Sequence, residues 1–177
     1  IHKADIKTIC VEPNVRLHSS KVYNNADGVF VAGIAGGNGV ELKRLYLLGE
    51  NKKGQGSSIF ESKKGIREDN YDLVTIIGSE KLADIINDTF TISISDVIVI
   101  RINAEGVEDD VIYGLSKKLH SNINLVMGSL KDVEDLKGKI AYDELRKYMT
   151  NSDINFVQLS PLYKTWDNAL KLLKDII

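Results

Sequence analysis

Apolar positions along this chain change their period near residue 70. Before it they fall in extended runs separated by turn formers; after it, short apolar runs alternate with segments whose apolar side chains recur every three or four residues. In residues 1–25 the β-formers Ile6, Thr8, Ile9, Val11, Val15, Leu17, Val22 and Tyr23 alternate loosely around Pro13, which removes a ladder donor and belongs at an edge or a turn. The pattern predicts an extended arm holding two short strands. An arm with no helix behind it must lie on a sheet, in its own molecule or in a neighbour. Asn24, Asn25, Asp27 and Gly28 then form a turn cluster.

Two apolar runs follow, residues 29–34 and 40–48, with Gly33, Gly36, Gly37 and Gly39 at their junction. Asn38-Gly39 tolerates positive φ at both central positions of a type I′ turn, which favours a β-hairpin between the two runs. The alternative is a strand-to-helix turn whose bare backbone cradles a phosphate. A G-x-G-x-x-G pattern begun at Gly37 finds Gly39 and then Leu42, and Gly138-Lys139 is followed by Ile140 instead of Ser or Thr, so neither phosphate fingerprint is met. Residues 51–70 are the most polar stretch and predict a long surface loop, partly docked through Ile59, Phe60 and Ile66.

The remaining chain predicts strands at 71–78, 96–102, 124–127 and 154–159. Helices are predicted at 79–88, with Ser79 as N-cap and Leu82, Ile85 and Ile86 inward, and at 108–119, with Val111, Ile112, Leu115 and Leu119 on one stripe. Ser129 with Asp132 reads as a capping-box variant opening a helix that breaks at Gly138 and resumes over 142–149. Ser160-Pro161 starts a closing helix with Leu162, Trp166, Leu170, Leu173 and Ile177 on one stripe, beside Ala169 and Ile176. Strands alternating with helices imply right-handed crossovers. The expected fold is α/β: a mainly parallel sheet with helices on both faces, plus an N-terminal extended arm (1–25) and a β-hairpin on a single domain (26–177).

Composition narrows the function classes. The chain has 177 residues, enough for one well-buried domain, and 43% of them are hydrophobic. Its net charge of -2, without any basic run longer than two residues, offers no footprint for nucleic acid. One cysteine, Cys10, excludes an internal disulfide and a thiolate cluster. No apolar run reaches the roughly 20 residues of a membrane span, and the first residues lack a signal-peptide core, so a soluble protein of the cytoplasm is the default expectation.

Candidate chemistry is sparse. Cys10 reads as a small buried residue more readily than as a nucleophile, and His2, His18 and His120 show no metal-ligand spacing. No catalytic residue, metal or cofactor is expected on this reading. The acidic run Glu105, Glu108, Asp109, Asp110 follows an apolar strand, where open α/β sheets place ligands. A magnesium or ribose site is therefore weighed against carboxylates that favour a helix dipole, and the second is preferred. A nucleotide or small-molecule site would use Gly78, Ser79, Asn103, Glu105 and Asp109. Tyr163 and Trp166 read as core packing before base stacking, and Arg101 is expected to pair with Asp72 or Asp96.

The segment SKVYNNADGVFVAG, through Ser20, Val22, Asn24, Asn25, Gly28, Ala32 and Gly33, resembles the region near the amino terminus of contractile phage tail sheath proteins. LYLLGENKKG, LVTIIGSEKLADIIND and SDVIVIRIN are similar to the strand, strand-to-helix and arginine-bearing strand that follow there, so the resemblance spans residues 6–103. Sheath proteins are generally several times longer, and the resemblance implies a fragment, a minimal relative or another tail component. It implies a structural, self-assembling homo-oligomer of the virion tail, whose partners are copies of itself and other tail proteins, with neither nucleic acid nor membrane. Subunits would be linked by strand exchange of the arm through Ile6, Ile9, Val11, Val15, Leu17 and Val22. The rival expectation is a Rossmann-like nucleotide- or small-molecule-binding enzyme with its site at the strand ends.

Overall fold

The computed structural model describes residues 6–48, 56–159 and 164–176. The chain is an α/β protein. Strand β1 (Ile9–Val11) lies parallel to β2 (Gly28–Phe30) in a two-stranded sheet. Between them the arm coils instead of staying extended. Residues Val15–Leu17 form a 3-10 turn capped by the Asn14 side chain, which accepts from the Arg16 amide at 3.1 Å. Helix α1 (Lys21–Asn24) starts at Ser20, whose hydroxyl accepts from the Val22 amide. Both caps are short polar side chains that compete with a strand ladder for backbone donors, which is why alternation alone misreads this stretch.

Strands β3 (Gly33–Ala35), β4 (Val40–Leu48) and β5 (Ile66–Gly78) form a second sheet in the order β3-β5-β4. β3 runs parallel to β5 and β4 antiparallel to it, so residues 40–48 pair with 66–78 and not with 29–34. The expected hairpin thus has a different partner. At the Asn38-Gly39 turn neither residue has positive φ; only Gly37 does, at +94°. The four residues 36–39 bridge from one side of β5 to the other across its carboxyl end. β5 also starts earlier than the apolar pattern suggests: Ile66 pairs with Leu48 and Tyr71 with Tyr46, and the polar residues 67–70 between them form an irregularity in the ladder that keeps the strand extended.

The third sheet is wholly parallel: β6 (Ile98–Ile102), β7 (Ile123–Gly128) and β8 (Asn155–Gln158), with β7 central. The four predicted strands are therefore divided between two sheets, since β5 belongs to the mixed one. Helix α2 (Ser79–Phe90) packs on α3 (Glu108–Leu119), followed after β7 by α4 (Lys131–Lys137), α5 (Lys139–Asn151) and, after β8, α6 (Lys164–Ile176). Alternation along the third sheet sorts its residues. Ile102 and Val126 join Val111, Ile112, Leu115, Leu145 and Met149 in the main core, whereas Leu125 and Val157 meet Ala169 of α6 on the opposite face. Helices thus cover both faces of this sheet. The main core also takes Ala32, Ile77, Leu82 and Ala83, so both larger sheets share it. Each fully buried Ile or Leu contributes about 1.5–3 kcal/mol.

Several helix ends differ from expectation. Gly78, not Ser79, is the N-cap of α2. Leu130 caps α4, with Ser129 one residue outside and Asp132 drawn to Lys63 instead of closing a box. Ser160, Pro161, Leu162, Tyr163 and Ile177 lie outside the described residues, as do the side chains of Trp166, Leu170 and Ile176. Among the described residues no helix is long and apolar enough to cross a membrane.

Candidate functional site

The expected ligand residues Gly78, Ser79, Asn103, Glu105 and Asp109 gather at the carboxyl ends of β5 and β6. Their surroundings are set by glycines. At Gly78 a Cβ would run into the Gly37 carbonyl and stand 2.9 Å from the Asn38 nitrogen, so the 36–39 bridge passes directly over the start of α2. The Gly78 amide donates to the Gly39 carbonyl at 2.7 Å and the Glu80 amide to the Gly37 carbonyl at 3.0 Å. Carbonyls of the bridge therefore take donors that a phosphate would use. Ser79 is fully buried; its hydroxyl donates to the Asp110 carbonyl at 3.1 Å and fills the space left by Gly114, where a Cβ would collide with it.

After β6 the chain reverses through Glu105 (φ +58°) and Gly106 (φ +117°) into α3. Glu108, 1% exposed, folds back so that its carboxylate accepts from the amides of Ala104 (2.8 Å) and Gly106 (2.9 Å). Burial pushes its carboxyl above the usual range, outweighing those hydrogen bonds, which pull it down. Glu105 is also raised, first by burial and then by Asp132, against the lowering effect of Lys63. Lys63 forms ion pairs with Glu105 and, at 3.3 Å, with Asp132. Asn103 donates to Glu105 at 2.7 Å.

The next carboxylates have their own cation. Lys137, the last residue of α4, reaches Asp109 at 2.6 Å and Asp110 at 2.7 Å, and its ammonium lies 5.9 Å from the centre of the Phe60 ring. Burial works against the charged Lys137, yet the two aspartates raise its pKa. Phe60 in turn lies against Gly106, and Ser58, 1% exposed, donates from its hydroxyl to the Glu105 carbonyl at 2.7 Å. Residues 57–63 are therefore fastened across the strand ends. The acidic run acts as a set of staples: Glu108 holds its own loop, Glu105 holds Lys63, and Asp109 with Asp110 holds α4. Among the described residues no group of three His, Cys, Asp or Glu has the geometry to hold a metal ion.

Sequence reasoning missed Ser58, Lys63 and Lys137, and gave Asp132 to a capping box instead of to Lys63. The one available signal was the Ile59-Phe60 pair inside a polar stretch, which marks docking without naming its target. Arg101 is exposed, and its expected partner Asp72 pairs with Arg16 instead, while Asp96 accepts from the Ser93 amide at 2.7 Å.

The assembly residues of the arm divide. Ile9 and Val11 are half-buried in β1, and Leu17 is half-buried at the end of the 3-10 turn. Ile6, Val15 and Val22 are exposed at 66%, 64% and 63%. Glu12 knits this region: its amide donates to the Phe30 carbonyl (3.1 Å), and its carboxylate accepts from the Asn14 amide (2.7 Å) and the Tyr23 hydroxyl (3.2 Å). Burial, then the Glu12 carboxylate, pushes the Tyr23 phenol up to about 12. Burial also raises the Cys10 thiol, the opposite of what a nucleophile needs. An open recess lined by Arg146, Met149, Asp153 and Phe156 lies between α5 and β8, with Arg146 4.7 Å over the Phe156 ring.

No protein-family model, curated protein or solved structure matches this chain.

Proposed function

We propose that this chain is a structural, self-assembling subunit of the contractile tail type, joined to copies of itself and to other tail proteins by exchange of its N-terminal strand. The observation that carries the reading is the β1–β2 pair. Three arm residues are held by three partners in a two-stranded sheet of their own, beside the exposed apolar side chains of Ile6, Val15 and Val22. A two-stranded ribbon is marginal alone. Its hydrogen bonds form equally well with β2 of a neighbour, so exchange costs little and covers exposed apolar surface. The strand-end carboxylates support the same reading, since Lys63 and Lys137 already engage Glu105, Asp109 and Asp110.

Cys10 lies opposite Val29 in the register, which supplies the test. In V29C, a short bismaleimide links the two thiols within one chain when the arm is closed and between chains when it is exchanged. Under conditions where negative-stain microscopy shows rings or tubes, covalent oligomers on a denaturing gel are expected. Cross-links confined to single chains, or the absence of assemblies at high concentration, overturn the proposal.

A further inference from the structure

Among the described residues β4 is an edge strand, and its side away from β5 has a defined phase. Tyr46 turns its main chain outward to an isolated bridge, donating to the Ser58 carbonyl at 2.8 Å and accepting from the Ser58 amide at 3.1 Å. Residues two and four places before it, Arg44 and Leu42, share that phase, as does Val40. Their side chains stand on the same sheet face as Tyr71 and Leu73 of β5. Val40, Leu42 and Leu73 are 62%, 66% and 62% exposed. Edge strands are ordinarily blunted by charge, and Lys43 does this here, except that Glu41 stands two residues away on the same face and 2.8 Å from it.

That spacing makes the edge complementary to itself. We propose that β4 pairs antiparallel with β4 of a second copy of this chain about a two-fold axis at Leu42, joining the two three-stranded sheets into one of six strands. The proposal rests on the reading of the chain as a self-assembling subunit and adds an interface distinct from the arm. In this register Glu41 faces Lys43 of the second copy and Lys43 faces its Glu41, while Leu42 meets Leu42 and Val40 meets Arg44. Neighbouring registers are disfavoured. An axis at Glu41 sets Glu41 against Glu41, one at Lys43 sets Lys43 against Lys43, and one at Arg44 sets Arg44 against Arg44 and needs the Tyr46 edge that Ser58 occupies. Like charges directly opposite destabilise a pair and opposite charges stabilise it, so charge selects the axis at Leu42.

Sedimentation equilibrium of the full chain tests this. Reversing one charge in K43E turns two attractive cross-strand pairs into repulsive ones, and the dimer is expected to weaken about tenfold or more. E41K should do the same, and the double variant E41K/K43E should recover wild-type association. In C10S/L42C the two sulfurs meet at the axis and an intermolecular disulfide should form on mild oxidation. A monomeric wild type, a K43E variant that associates normally, or a double variant that fails to recover each overturns the proposal. These outcomes are separable from the arm: association that survives K43E together with intermolecular Cys10–V29C cross-links leaves the arm reading standing and removes the edge. Loss in K43E with closed-arm cross-links does the reverse.

Discussion

The main chain of Gly37 occupies the space in which a side chain on Gly78 would begin. Gly78 has φ -66° and ψ 139°, a conformation any residue adopts, so its requirement for glycine is purely one of space. Gly37 is the converse, with φ +94° and nothing within 4 Å of the point where a Cβ would stand. Gly78→Ala should cost about 2–3 kcal/mol as an overpacking change against backbone. Gly37→Ala should cost about 1 kcal/mol, from its left-handed backbone alone. Urea unfolding of both variants checks the order.

Lys137 is expected to behave as a largely buried cation shared by two acids. Lys137→Met strands the nearly buried Asp109, and a loss of about 2–3 kcal/mol is expected, at or below the lower end of the range for breaking a buried pair because solvent still reaches Asp110. Adding D109N should recover much of it, giving a clear coupling in a double-mutant cycle. The exposed Lys131–Asp135 pair is the control, and Lys131→Ala should leave the midpoint unchanged.

Glu108 has a pH signature of defined sign. Its ordinary pKa is 4.5 and burial raises the folded value. Across the interval between them the native state holds a proton that the unfolded state has lost, so this group's contribution to stability is full below pH 4.5 and is lost as pH rises through the folded pKa. The unfolding free energy of wild type minus that of E108Q should therefore fall with pH over that window and level off above it. A difference that stays constant from acid to neutral pH would contradict the assignment.

Ser58 is the pin between the 57–63 segment and the β6–α3 loop. Its hydroxyl donates to the Glu105 carbonyl and accepts from the Phe60 amide at 3.1 Å. Ser58→Ala should cost about 1–2 kcal/mol. It should also raise amide exchange locally, at residues 58–63 and 104–106, while α5 and β7 keep their protection. Hydrogen exchange read by mass spectrometry makes the comparison.

Local signals in the sequence carried the parallel half of the fold. The 108–119 stripe and its first-turn acids mark α3 residue for residue, and Gly138 marks the break between α4 and α5, because both depend on side chains a few positions apart. Pairing across the chain was not legible. Asn38-Gly39 is a genuine turn signal, but nothing near it records that β5, more than 25 residues later, takes the place between β3 and β4. The candidate site was half visible for the same reason. Its acids stand in one run, whereas their cations Lys63 and Lys137 come from segments that only the folded chain brings together.

The order β3-β5-β4 also fixes a sequence of events. When residues 33–48 leave the ribosome they form two sides of a slot whose filling has not yet been made. Their ladders form only as residues 66–78 emerge and β5 takes the place between them, its end lying beneath the 36–39 bridge. A nascent chain stalled before that point presents two open edges, and the step that closes them is a non-local insertion, the slow kind of contact to form. The bridge that shuts the front of α2 in the finished protein is thus also the link that joins the two sides of that slot before its central strand arrives.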